Sequence, residues 1–184
     1  MKKTFLLFTL WAVGFMYAQK VEVSMGYGIG SLYGVSDDLI RNIVESPITS
    51  KETPETRGVL NTSIMSYSNN MKWRYGLELN VEFFNTKKKM YSQKNFISVL
   101  PRVDYFWSSA GKKLRFYSGA SAGVLFSKET YIFPDTSGKG KNNKTVFAFN
   151  VMPIGIRYGG KLGVFLEPNV GVRSYVQLGI SYIF

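Results

Sequence analysis

Residues 72–84 read Lys-Trp-Arg-Tyr-Gly-Leu-Glu-Leu-Asn-Val-Glu-Phe-Phe. Trp73, Tyr75, Leu77, Leu79, Val81 and Phe83 share one parity, and Arg74, Gly76, Glu78, Asn80 and Glu82 share the other. Successive side chains of a β-strand point to opposite faces, so one face of this stretch is wholly apolar and the other carries three charges. The stretch predicts a strand between an apolar medium and a polar one.

The pattern recurs along the chain. Residues 96–107 set Ile97, Val99, Pro101, Val103, Tyr105 and Trp107 against Ser98, Leu100, Arg102, Asp104 and Phe106. Pro101 has no N–H to give to a ladder, which predicts a bulge nearby. Residues 114–126 set Leu114, Phe116, Ala120, Val124 and Phe126 against Arg115, Tyr117 and a set of small residues. Residues 175–184 end the chain with Val176, Leu178, Ile180, Tyr182 and Phe184 on one parity. Weaker strands are read at 20–29, 58–68, 145–158 and 161–170, which makes eight, an even number suited to a single-chain bacterial barrel. In the sixth, an inward Arg157 sends Asn150 outward, and a bulge or an interfacial position for Asn150 both remain open. Connections largely alternate in length: 30–57, 85–94 and 127–144 are long or medium, 69–71, 108–112 and 159–160 are short, and 171–174 is brief. Such alternation fits extracellular loops on one side, periplasmic turns on the other, and both termini in the periplasm. In the first long loop, Ser36-Asp37-Asp38 could cap a short helix to about Glu45, or the segment is a structured loop. Residues 135–144, rich in Gly, Asn and Lys, read as a mobile tip.

The first 18 residues have the order of a secretory signal: basic Lys2 and Lys3, an apolar run from Phe5, and a small Ala18 before Gln19-Lys20. The run is shorter than the roughly 20 residues a membrane-crossing helix needs, so cleavage after Ala18 is preferred to an uncleaved anchor. Residues 19–184 then form one β-barrel domain. Beyond the signal no apolar run approaches helical spanning length, and helical spans are excluded. The chain holds 23 Lys and Arg against 12 Asp and Glu, a net +11 that falls to +9 without Lys2 and Lys3. For an exported chain that surplus points to lipid head groups or surface phosphates and away from nucleic acid, or it is lysine in solvated loops.

Alternation alone would also fit a soluble sandwich or lipocalin-like barrel. The aromatics, 16% of the chain, decide for the membrane. Trp73, Tyr75, Phe83, Tyr105, Trp107, Phe116, Phe126, Tyr182 and Phe184 stand near strand ends on the apolar face, where rings form interfacial girdles. The other face holds Arg74, Glu78, Glu82, Arg102, Asp104, Arg115, Arg157 and Glu167, which predicts an inward ion-pair network in a lumen just wide enough to fill with side chains. The fold class expected is all-β: a closed antiparallel up-and-down transmembrane β-barrel of about eight strands.

On these features the chain resembles the OmpX/OmpA-type small outer-membrane barrels, in particular proteins with an outer membrane protein β-barrel domain, over the whole mature length. The residues that carry the resemblance best are 177–184, Gln-Leu-Gly-Ile-Ser-Tyr-Ile-Phe. They match that family's C-terminal assembly signal, a polar residue, a glycine, an aromatic and a terminal aromatic at fixed spacing. The resemblance implies that Gln177, Gly179, Tyr182 and Phe184 are read by the outer-membrane insertion machinery, and that the cell outer membrane is the destination.

Chemistry is sparse. There is no histidine and no cysteine, which removes the usual general base, the thiol nucleophile, disulfides and thiolate metal sites. Glu78 and Glu82 could form an acid pair, but the interleaved arginines favour structural ion pairs. Gly26-Tyr27-Gly28-Ile29-Gly30 lacks the helix that a dinucleotide site requires, so glycines in a tightly curved strand are the plainer reading. No enzyme activity, cofactor or metal is expected. Two function classes stand: a monomeric structural or loop-mediated interaction barrel, or a narrow pore or accessory of a transport or secretion system. Lys87, Lys88, Lys89, Lys94, Lys139, Lys141 and Lys144 concentrate charge on the loop side, either for lipopolysaccharide phosphates or for solubility.

Overall fold

The computed structural model describes residues 20–35, 55–85, 91–132 and 139–184, with backbone alone at 55, 91–93, 131–132 and 139. The signal segment, the capped helix read at 36–45 and Lys87 to Lys89 lie outside the described residues. Nine strands follow in order: β1 (Lys20–Ser31), β2 (Glu55–Tyr67), β3 (Trp73–Asn85), β4 (Tyr91–Phe106), β5 (Leu114–Ile132), β6 (Lys139–Gly159), β7 (Leu162–Pro168), β8 (Val170–Gly171) and β9 (Ser174–Ile183).

Each strand pairs antiparallel with the next from β1 to β7, β7 pairs with β9, and β9 pairs with β1. Nine elements therefore make eight wall positions, because β8 continues the course of β7 after a break at Asn169 and pairs with β6. The seam between β1 and β9 runs from Glu22↔Ile183 to Ser31↔Ser174. The last residue joins it, Phe184 N–H donating to the Val21 carbonyl at 2.9 Å. Closure leaves these strands without a free edge at the seam.

The structure departs from the sequence reading at Pro101 and in the link 127–144, and of the two alternatives open for Asn150 it has the bulge. At Pro101 there is no bulge: Val99↔Val124 and Arg102↔Ser121 keep one register on both sides of it. Pro101 points outward, where the lost donor is tolerated without a register change. A mid-strand irregularity lies instead in β6, where Tyr117↔Gly155 is followed by Gly119↔Met152. Two steps on β5 oppose three on β6, Pro153 and Ile154 both face out, and the parity flips. Asn150 and Arg157 consequently both point inward and are buried. Finally, most of the long link read at 127–144 is strand: β5 runs to Ile132 and β6 starts at Lys139, so residues 139–144 are ladder and not a loop tip.

Apolar side chains cover the outside of the barrel, among them Met25, Ile29, Ile64, Leu79, Val151, Val164, Leu178 and Ile180. Trp73, Trp107, Tyr158, Tyr182 and Phe184 are exposed at the turn end, and Tyr27, Phe83, Phe126, Phe147 and Tyr175 toward the loop end. Trp73 and Phe83 are ten residues apart on β3. At about 3.3 Å per residue and a tilt of about 40°, they bracket a band of about 25 Å, the height of the apolar belt of outer-membrane barrels.

Candidate functional site

The lumen holds the site, and it is built from the polar parity of each strand. Its centre is a continuous chain of ion pairs. Arg157 Nε lies 3.6 Å from Glu22 Oε2, and Glu22 Oε1 lies 2.6 Å from Arg74 Nη1. Arg74 reaches Asp104 Oδ2 through Nη2 at 2.6 Å and through Nε at 2.8 Å. Arg102 takes the other Asp104 oxygen at 2.8 Å and crosses to Glu167 at 2.8 Å and Glu78 at 3.6 Å. Arg173 closes the end, 3.1 Å from Glu78 and 2.5 Å from Glu167.

Four arginines thus meet four carboxylates, every one of these side chains is at most 4% exposed, and the formal charges of the eight groups sum to zero. Burying ions costs several kcal/mol each, so such a cluster persists only when each charge is paired and hydrogen-bonded. Neutral donors complete the carboxylates: Tyr67 Oη donates to Glu22, Tyr117 Oη to Glu167 and Ser121 Oγ to Glu78. The pairs join β1, β3, β4, β6 and β7, and Arg102 to Glu167 spans the lumen from β4 to β7.

Apolar clusters close both sides of this layer. Toward the turns lie Tyr67, Phe106, Tyr117, Met152 and Ile183. Phe106 stacks on Tyr117 at 4.8 Å, and the guanidiniums of Arg115 and Arg74 sit 3.8 Å and 5.1 Å from the Phe106 ring centre. Toward the loops lie Phe84, Phe96, Leu100, Leu125, Ala148 and Val172. Val172 and Arg173 form the turn between β8 and β9 and are both buried, so this turn folds into the mouth. Asn61, Asn80 and Ser98 add a buried relay, Asn61 Nδ2 donating to Asn80 at 2.7 Å and Asn80 Nδ2 to Ser98 at 3.1 Å.

Of the eight inward residues named from sequence, the chain of pairs contains Arg74, Glu78, Arg102, Asp104, Arg157 and Glu167. Glu82 sits a layer nearer the loops, where its carboxylate accepts from Ser31 Oγ at 2.6 Å and Thr56 Oγ1 at 2.7 Å. Arg115 makes no ion pair among the described residues; its Nη2 donates to the Met71 carbonyl. Glu22 and Arg173 were missed. Glu22 shares its parity with Ser24, Gly26 and Gly28 opposite Val21, Val23 and Met25, a signal legible in the sequence. Arg173 follows Glu167, Asn169 and Gly171 on one parity, but it falls in what reads as a brief link. The carboxylates of Glu78 and Glu82 have different partners and form no acid pair.

Lys94 requires a correction. It is not a loop lysine: it is 1% exposed on the inner face of β4, with Nζ 4.4 Å from the Phe84 ring centre and 5.2 Å from that of Phe96. Lys141 and Lys144 are exposed on β6; the Lys139 side chain lies outside the described residues. In the terminal strand, Gln177 and Gly179 face in while Tyr182 and Phe184 face out, edge to face at 4.9 Å. Gly179 stands opposite Gly26. A Cβ on Gly179 would meet Phe165 Cζ at 2.3 Å, and one on Gly26 would meet it at 2.9 Å. The pair of glycines makes room for this inward ring at the β1–β9 seam.

The crystal structure of the N-terminal β-barrel domain of Pseudomonas aeruginosa OprF is similar to this chain, with a TM-score of 0.52 and 14% identity over 91% of this chain and 98% of that one. The crystal structure of Neisserial surface protein A (NspA) matches at a TM-score of 0.48 and 10% identity, over 89% of this chain and 93% of that one. No family model matches, and no curated protein does. The fold of this chain is the one the OprF domain has, a closed antiparallel β-barrel, here of eight wall positions.

Proposed function

We propose that this chain is an integral barrel of the bacterial outer membrane with a structural or loop-mediated interaction role, and that it is neither a conducting pore nor an enzyme. The observation that carries this reading is the plugged lumen: a buried, charge-neutral layer of ion pairs between two apolar clusters. An eight-stranded barrel has an interior that side chains alone can fill. The outer apolar belt, bracketed by aromatics, fits hydrocarbon with head groups on both sides.

In this reading an N-terminal signal exports the chain, its termini and short turns lie in the periplasm, and the longer connections face outward. The chain acts as a monomer in outer-membrane lipid, inserted by machinery that reads Gln177, Gly179, Tyr182 and Phe184. Lys87, Lys88, Lys89, Lys139, Lys141 and Lys144 would face lipopolysaccharide phosphates, without Lys94. The absence of histidine and cysteine, and the engagement of the luminal carboxylates by arginine, support a non-catalytic role. Reconstitution of the mature protein into planar bilayers tests the reading: no stable unit conductance is expected. Reproducible channel openings would overturn it in favour of transport.

A further inference from the structure

The turn-side mouth of the barrel contains a cavity of about 200 Å³ with an unusual charge balance. Lys20, Lys112, Lys113, Lys161, Arg115 and Arg157 line it, and no Asp or Glu does. The four lysines are exposed at the rim, whereas Arg115 and Arg157 are 3% and 1% exposed. Arg157 is committed, with Nε donating to Ser181 Oγ at 2.9 Å and Nη2 donating to the Gly160 carbonyl at 3.0 Å. Arg115 differs. Arg74, Arg102, Arg157 and Arg173 each meet at least one carboxylate, yet Arg115 meets none among the described residues, and its buried Nε has no hydrogen-bond partner there.

We propose that this mouth is a binding site for a phosphate group. A carbonyl and an aromatic face offset only part of the hydration that a buried guanidinium loses, and without an anion it presents donors suited to a tetrahedral oxyanion. A carboxylate would neutralise one of the six cations, while a phosphate monoester carries nearly two charges and three acceptor oxygens. The cavity has room for the group and its first waters, since a water takes about 30 Å³ of liquid volume. Phe106 braces the Arg115 guanidinium from beneath at 3.8 Å, and the Met71 carbonyl holds its Nη2, so the side chain is pre-positioned. The site lies at the end of the barrel opposite the loop lysines. It requires only the barrel and holds whichever side of a membrane the turns face.

The phosphate can come from a soluble ester or from a phospholipid head group at the rim, and a titration distinguishes them. The mature barrel, refolded in an uncharged maltoside detergent, is titrated calorimetrically with inorganic phosphate and glycerol phosphate, at an ionic strength fixed with chloride. A parallel series adds phosphatidic acid to the micelles, with diacylglycerol as control. Saturable binding of the soluble phosphates assigns a soluble ester; binding of phosphatidic acid alone assigns a head group. In either series Arg115→Gln weakens binding by about tenfold or more, the equivalent of one charge-assisted hydrogen bond. The double replacement Lys112→Gln with Lys113→Gln, on an exposed turn, also weakens it and keeps heat-modifiable gel migration as proof of folding. If Arg115→Gln does not fold, the lysine pair decides. Heats no larger than those of chloride in both series, or wild-type affinity in the folded variants, would overturn the proposal.

Discussion

Replacing Arg102 with methionine removes the cation that joins three carboxylates. Its side chain lies 2.8 Å from Asp104, 2.8 Å from Glu167 and 3.6 Å from Glu78, and it is 4% exposed. Asp104 would keep Arg74, and Glu78 and Glu167 would keep Arg173, but four buried carboxylates would then face three arginines. Deleting one member of a buried ionic cluster costs about 3 to 5 kcal/mol, chiefly because a charge is left uncompensated in a medium that solvates it poorly. With a urea dependence of about 3 kcal/mol per M, the unfolding midpoint of the detergent-refolded barrel falls by about 1 to 1.7 M. Methionine keeps an unbranched apolar stem but not the guanidinium, whose Nη2 lies 3.8 Å from Met152 Sδ, so a part of the loss is packing. Adding Glu167→Gln to Arg102→Met restores equal numbers of cations and anions, and the double variant should be more stable than the Arg102 single variant. Equilibrium unfolding followed by the loss of heat-modifiable gel migration measures both. An Arg102→Met barrel with the wild-type midpoint would mean instead that the luminal charges are hydrated and the lumen is open.

Gly179→Val should lower the unfolding midpoint, since its Cβ would lie 2.3 Å from the Phe165 ring and 2.4 Å from the Met25 carbonyl; adding Phe165→Ala should recover the ring's part of the loss, and no recovery would show that the approach of the β1 backbone alone requires the glycine. Neutralising Lys87, Lys88 and Lys89 together should reduce lipopolysaccharide co-purification at low salt, by about 1 kcal/mol per lysine, and less at high salt. Lys94→Met should leave that co-purification unchanged, because its ammonium is buried between Phe84 and Phe96; a loss equal to that of the triple variant would place Lys94 on the surface instead.

Much of the barrel is legible in residue parity, because every wall strand meets an apolar surface on one side and a polar lumen on the other. In β3 the alternation survives intact from Trp73 to Phe83. Parity fails where the backbone itself changes phase: nothing in the string Met152-Pro153-Ile154-Gly155 tells which residue is the extra one, and the bulge appears only in the register against β5. It also fails where burial is tertiary. Lys94 belongs by type to a loop, yet the extension of β4 to Tyr91 puts it inside the barrel, its stem among aromatic rings. Arg173 lies in a two-residue turn that folds into the mouth, a direction set by the shortness of β8 and β9 beside β5 and β6 and invisible to local pattern. The six network residues that were legible stand on strands of regular alternation or, for Arg157, beyond the bulge at the regular end of β6. Arg115 was placed correctly on the inner face, but its lack of a carboxylate among the described residues depends on which strands lie across the lumen.

Fractionation of cells that produce the wild-type chain and its Phe184 deletion is the sharpest test of whether the apolar belt lies in an outer membrane. Tyr182 and Phe184 close the outer face of the terminal strand, and each ring is worth about 1.5 to 3 kcal/mol on full burial. The finished barrel keeps the β1–β9 ladder from Glu22 to Ser31 without Phe184, so the truncated protein should still refold in detergent. Wild type is predicted in the outer-membrane fraction, and the deletion in the periplasm or degraded there. Wild type recovered as a soluble periplasmic protein, with the deletion found in the same place, would contradict an outer-membrane position for the belt.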